Sequence, residues 1–202
     1  MERLPVETLK NFMVEVFKRS GVPEEDAEIC SEVLIASDLR GIESHGIGRL
    51  KMYYDRIKAG IQEPVTRIEV IKDKAATAVW DGNNGMGQVI SFRAMETAIE
   101  KAKQFGLGAV AVRNSTHFGI CGYYANMACQ ENMIGLIFTN ARPSVCSTFG
   151  VEPLLGTNPI CFGAPTDLAF PFIYDAATSI TQRGKIEQYA REEKETPVGW
   201  AI

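Results

Sequence analysis

The chain contains only two histidines, His45 and His117, and each sits in a short run of small and polar residues: Glu43-Ser44-His45-Gly46 and Asn114-Ser115-Thr116-His117-Phe118-Gly119. An imidazole, with an unperturbed pKa near neutrality, is the natural side chain to exchange a proton at working pH. A satisfied loop histidine accounts for each equally well on composition alone. His45, Arg49 and Tyr53 stand at i, i+4 and i+8, so on a helix that begins after Ser44 they share one face. A guanidinium holds a carboxylate through two parallel hydrogen bonds, leaving a neighbouring acid–base group to work on the adjacent hydroxyl or keto carbon. A solvated helix face with a surface Arg and a half-buried Tyr produces the same spacing.

Three further segments could serve a ligand. Gly82-Asn83-Asn84-Gly85-Met86-Gly87 follows a strand and precedes a helix, where a dinucleotide fingerprint would sit. Ile90 replaces its third glycine, and no acidic residue ends a strand about twenty residues on, so the segment reads as a turn. Gly156-Thr157-Asn158-Pro159 is a compact turn with an amide and a hydroxyl, although turn formation alone explains all four residue types. Asp175 is expected at the carboxyl end of a strand from Phe170 to Tyr174, where open α/β sheets bind ligands. There it either reaches a ribose hydroxyl or caps the next helix.

The elements that must position these residues change character near residue 65. Leu9, Phe12, Met13, Val16 and Phe17 form one helical stripe that stops at Ser20-Gly21. Pro23 followed by Glu24, Glu25 and Asp26 starts a second helix, to about Leu39, and Ser44 is a plausible N-cap for a third reaching Lys58. Beyond Arg67, strands and helices alternate. Strands are expected at 68–71, 75–80, 108–112, 134–139, 160–164 and 170–174, with helices at 92–102, at 122–131 and from about Ile180. This alternation predicts an α/β core with helices covering a largely buried sheet. The chain divides into a helical segment, 1–65, and an α/β segment, 66–202.

Composition excludes several classes. The 202 residues, 46% hydrophobic and 23% charged, describe a globular protein rather than a disordered one. A net charge of −4 with scattered Lys and Arg lacks the basic footprint of a nucleic-acid binder. Met1 to Lys10 has no secretory apolar core, and no apolar run approaches the roughly 18 residues needed to cross a bilayer. Five cysteines, odd in number and without CxxC spacing, fit buried thiols in a reducing compartment, not a disulfide framework or a metal site. The expectation is a cytoplasmic protein without nucleic-acid, membrane or metal partners.

Laid out in order, the motifs Asp38-Leu39-Arg40-Gly41-Ile42-Glu43-Ser44-His45-Gly46 with Arg49, Asn114 to Gly119, Gly156 to Pro159, Asp175-Ala176-Ala177-Thr178 and Pro197-Val198-Gly199-Trp200-Ala201 resemble the malate/L-lactate dehydrogenase family, whose members include ureidoglycolate dehydrogenase, diketogulonate reductase and sulfolactate dehydrogenase. The likeness runs from about Leu9 to Ile202. It implies NAD or NADP bound by a non-Rossmann α/β domain, in a homodimer whose 1–65 segment serves the dimer and substrate side. It also implies hydride transfer between the nicotinamide and C2 of a small 2-hydroxy or 2-keto acid, malate/oxaloacetate or lactate-like, while a histidine moves the hydroxyl proton. Both His45 and His117 carry over as that histidine, with His117 preferred. Arg49 would clamp the substrate carboxylate with Ser44 and Tyr53 in support, and Asn140, Ala141, Thr157, Asn158, Pro159, Asp175, Ala176, Ala177 and Lys185 would serve the cofactor. Family members are longer and continue through a Lys-Gly-Tyr-Gly stretch that contributes to the nicotinamide site, so the α/β domain is expected to be incomplete. Two rival readings follow: a non-catalytic scaffold of the same fold, and a reductase of cyclic imino acids.

Overall fold

A computed structural model describes residues 4–200, so Met1 to Arg3 and the tail residues Ala201 and Ile202 lie outside the described residues. Helix α1 (Val6–Arg19) buries Met13, Val14 and Phe17, and its last turn carries Lys18 and Arg19 where the dipole favours cations. Helix α2 (Glu24–Leu39) opens with three acids and buries residues around most of its circumference, as befits a helix enclosed by others. The third helix is shorter than its sequence predicts. Two single 3-10 turns, Glu43–His45 and Ile47–Arg49, precede α3 (Leu50–Lys58), and Ser44 makes no cap.

The break has an identifiable cause. The carboxylate of Asp38 reaches back from α2 to accept the backbone N–H of Ile47 at 2.8 Å. Gly46 allows that approach, since a Cβ there would land inside the Asp38 carboxylate. His45, Arg49 and Tyr53 therefore do not lie along one helix; each leaves a different short element.

Strands β1 (Glu69–Asp73) and β2 (Thr77–Asp81) form a hairpin, and α4 (Gly87–Phe105) crosses over to β3 (Ala109–Arg113), parallel to β2. Gly106 closes α4 in the left-handed conformation at φ 77°. After α5 (Cys121–Gln130) come β4 (Gly135–Phe138) and a small ribbon of β5 (Val145–Cys146) and β6 (Pro153–Leu155), which the sequence pattern does not reveal. Strands β7 (Ile160–Ala164) and β8 (Phe172–Ala176) then complete an antiparallel sheet in the order β4-β7-β8, and α6 (Arg183–Arg191) follows.

The α/β class is as expected, but the sheet is neither single nor largely buried. There are two three-stranded sheets, β1-β2-β3 and β4-β7-β8. One face of the second, carrying Ile137, Cys161 and Ile173, packs on Cys121 and Ala125 of α5. Its other face leaves Leu136, Phe138, Ile160, Phe172 and Tyr174 exposed. The strand predicted over 170–174 begins two residues later, after Pro171, because proline cannot donate to the ladder. The strand also runs on to Ala176, so Asp175 is internal to β8, paired with Cys161, on the face toward α5. The helical segment is not closed on itself: Met86 and Val89, at the start of α4, join the core of α1, α2 and α3.

No helix among the described residues is long and apolar enough to cross a membrane, and no cluster of three metal-binding side chains occurs among them. All five thiols are free, four of them buried. Replacing Gly46 with Ala forces the Asp38 carboxylate off Ile47, which removes a charge-assisted hydrogen bond. Stability in urea is expected to fall by about 1.5–3 kcal/mol, and an unchanged midpoint would contradict this account of the break.

Candidate active site

The loop that carries His117 is fixed at its root by Asp81, the last residue of β2. Its carboxylate accepts Arg113 Nε and Asn114 Nδ2, both at 2.8 Å, and the backbone N–H of Asn83 at 2.9 Å. Those bonds hold Asp81 below the usual carboxylate range, the Asn83 N–H first among them. Thr116 braces the other side: its hydroxyl donates to the Gly85 carbonyl at 2.7 Å and accepts the Gly87 N–H at 3.0 Å. A Cβ at Gly87 would collide with the carbonyls of Thr116 and His117, so glycine is what lets the head of α4 abut this loop. The Gly82 to Gly87 segment is a turn, as its sequence suggests, and its work here is to brace the loop.

His117 meets the helical segment at the end of that loop. The Tyr53 hydroxyl lies 2.6 Å from His117 Nδ1, and the ring of His45 stacks on that of His117 with centroids 5.5 Å apart and planes 19° from parallel. His45 Nδ1 sits 2.9 Å from the Ser44 hydroxyl, which also accepts Gln182 Nε2 at 3.1 Å. On both rings Nδ1 is engaged by a hydroxyl, leaving Nε2 without a recorded partner among the described residues. Arg49 is close by: its Nε donates to the Ser44 carbonyl at 2.6 Å and its Nη1 to Glu187 at 2.8 Å.

Burial sets the electrostatics. It lowers His45 to about 4, helped by Arg49, and His117 to about 3, helped by His45, Arg49 and Arg56. Both rings are neutral at pH 7. Burial pushes the Tyr53 phenol well upward, so it keeps its proton. Burial works against an ionised Glu187, but hydrogen bonds and charge from Arg183 and Arg49 outweigh it and hold that carboxyl down.

His45, Arg49 and His117 line a cleft of about 1890 Å³, together with Asn140, Ala141, Thr157 and Pro159. Its polar end is completed by Gln182 and Glu187, and its apolar wall runs along Ala94, Ala98, Val110, Ile134 and Leu136. The flanking strands β3 and β4 are each the outer strand of a separate sheet. Asn158 does not line the cleft; its side-chain oxygen accepts the Ala141 N–H at 2.9 Å and so ties the two loops together. Ser44 and Tyr53 are buried beneath the surface of the cleft and do not line it.

Asp175, Ala176, Ala177 and Lys185 also fall outside the lining. The Asp175 carboxylate accepts the Gly122 N–H at 2.6 Å at the head of α5, so it caps a helix that precedes it rather than the next one. Lys185 turns to Gln188 at 3.2 Å and to the ring of Tyr189. Gln182 and Glu187 escaped the sequence reading because 138 residues separate each from its partner, and nothing in local spacing signals such a contact.

The family model described as Malate/L-lactate dehydrogenase matches residues 4–202. A malate dehydrogenase of Pyrococcus abyssi is 52% identical over 200 residues, 99% of this chain and 55% of that relative. An L-sulfolactate dehydrogenase of Methanocaldococcus jannaschii is 44% identical, over 98% of this chain and 58% of its own. The crystal structure of malate dehydrogenase from Entamoeba histolytica superposes with a TM-score of 0.94 at 49% identity, covering 97% of this chain and 55% of that one. The chain thus spans a little over half the length of these relatives.

A histidine held neutral by burial stabilises the fold above its unfolded-state pKa near 6.5, and the contribution is lost as pH falls toward the folded value. The unfolded chain binds protons that the folded chain refuses between about pH 6.5 and pH 4. Each histidine should therefore steepen the loss of stability with acidification by up to about 1.4 kcal/mol per pH unit. Urea titrations from pH 7 to pH 4.5 should show a shallower slope for His117→Gln than for the unmodified chain; parallel slopes would refute the neutral assignment.

Proposed function

The chain belongs to the malate/L-lactate dehydrogenase family, and from that premise we propose that it serves an oxidoreductase that transfers a hydride between NAD or NADP and C2 of a small 2-hydroxy or 2-keto acid. Malate/oxaloacetate is the first substrate to test, with sulfolactate and lactate-like acids next. The observation that carries this reading is the stacked pair His45 and His117 on the cleft wall beside Arg49.

The cleft suits a nicotinamide dinucleotide in size and in chemistry. Its volume exceeds the roughly 300–1,000 Å³ of ordinary ligand pockets, and it pairs an apolar wall with a few polar groups at one end. When bound, the nicotinamide supplies the hydride chemistry, which no amino-acid side chain can perform. Asn140, Ala141, Thr157 and Pro159 would hold it from the β4 side, with Asn158 keeping their loops together and Asp175 acting only through α5.

The chain's own residues have distinct tasks in this reading. Arg49, with Nε spent on the Ser44 carbonyl, offers its terminal nitrogens to the substrate carboxylate, which then competes with Glu187 for them. The imidazole pair faces the hydroxyl or keto oxygen two bonds from that carboxylate, and because both rings are neutral at pH 7 the proton that reduction consumes is drawn from solvent by way of the pair. Both rings form part of the cleft wall, so an oxygen seated against them displaces water there, which strengthens each polar contact it makes.

A specific observation favours a second reading. The exposed apolar face of β4, β7 and β8, in a chain spanning about half the length of its relatives, fits a scaffold that works only with a complementing segment or a second copy. Mixing the purified chain with NADH and oxaloacetate while following absorbance separates the two. The dehydrogenase reading expects turnover that His117→Ala abolishes, and a KM raised about 10- to 100-fold in Arg49→Lys. A folded chain that neither binds NADH, by fluorescence, nor turns over would favour the scaffold.

A further inference from the structure

Tyr53 enters the sequence reading as a companion of Arg49 on a substrate-facing helix, yet it is fully buried behind His117. Its ring packs against Phe17, centroids 6.1 Å apart, which ties it to α1 and fixes where its hydroxyl can reach. That hydroxyl lies 2.6 Å from His117 Nδ1. A second group converges on the same nitrogen: the backbone N–H of Gly119, at 3.4 Å.

The two contacts together decide which nitrogen carries the proton. A phenol donates or accepts, but a backbone N–H only donates. If Nδ1 bore a hydrogen, that hydrogen would face the N–H of Gly119, donor against donor. Nδ1 therefore presents its lone pair, the Tyr53 O–H donates to it, and the single proton of the neutral ring resides on Nε2.

We propose that Tyr53 is a positioning residue that fixes His117 in the tautomer protonated at Nε2, so that the neutral ring offers a hydrogen-bond donor to the oxygen of a bound substrate. A donor at Nε2 matches a keto oxygen, which only accepts, and draws charge from the carbonyl as C2 becomes reduced. The identity of that oxygen rests on the dehydrogenase reading above; the tautomer itself does not. Tyr53 suits the task because a buried phenol, unlike a carboxylate, supplies the donated hydrogen without adding a charge that would raise the basicity of the imidazole. The second histidine has no such pair of contacts: among the described residues the Ser44 hydroxyl meets His45 Nδ1 with no backbone N–H beside it.

The test needs neither cofactor nor turnover, so its outcome is independent of whether the chain transfers hydride. With ¹⁵N-labelled histidine, two-bond proton–nitrogen correlation at pH 7 should show His117 with a bare Nδ1 and a protonated Nε2. In the same unmodified chain the Tyr53 hydroxyl proton should appear as a slowly exchanging resonance with a contact to the His117 ring. Tyr53→Phe, which deletes only the hydroxyl, should lower the ratio of the two tautomers about fivefold. A protonated Nδ1 in the unmodified chain would overturn the proposal, as would a missing phenol resonance or a folded Phe variant with both nitrogens unmoved.

Discussion

The hydrogen bond between Tyr53 and His117 joins two parts of the chain that have little else in common. Tyr53 belongs to the core of α1, α2 and α3, while His117 ends a loop rooted in the β1-β2-β3 sheet. Because Tyr53 is rigidly packed, the bond fixes the imidazole against the helical core, and the ring of His45 can then stack on it. The loop reaches this position through braces of its own, Asp81 at the root and Thr116 against the head of α4. The site is thus assembled from elements each already held elsewhere, which is how a constellation keeps its geometry without relying on the ligand.

Enclosing two imidazoles and a guanidinium in so small a volume is electrostatically costly unless charge is kept down. Burial resolves this by holding both rings neutral, and Glu187 pairs with both the Arg49 and the Arg183 guanidinium. The same arrangement leaves Arg49 with a replaceable partner. A carboxylate arriving in the cleft takes over a guanidinium nitrogen of Arg49, while Glu187 keeps its bond to Arg183 at 2.6 Å. The helix that supplies Glu187 also supplies, just before its first turn, the Gln182 amide that engages Ser44, so α6 closes the polar end of the site twice over.

The α/β part has the opposite character. The β1-β2-β3 sheet packs α4, the β4-β7-β8 sheet packs α5 on one side and presents large apolar side chains outward on the other, and β3 and β4 each pair along one edge only. Unpaired edges and apolar faces of this extent invite association. The cleft runs between those two edges, so the space for a ligand and the unfinished appearance of the sheets share one origin.

The amphipathic stripes of α1 and α4, the acids opening α2 and the glycine closing α4 are local physics, and the sequence shows them directly. The motifs around His45, Arg49 and His117 are legible too, because rare side chains in loops of small residues stand out without knowledge of the fold. Local pattern misleads where a distant partner intervenes. The Asp38 carboxylate splits the third helix, and the pairing of β8 with β7 sets Asp175 opposite Cys161, facing α5 instead of the cleft. The stacking of His45 on His117, the reach of Glu187 to Arg49 and the buried place of Tyr53 depend on contacts across 64 to 138 positions. Such contacts form only when the chain packs, since side chains far apart in sequence have no shared periodicity that could announce them; residue types fixed the available chemistry, and tertiary packing decided which groups meet.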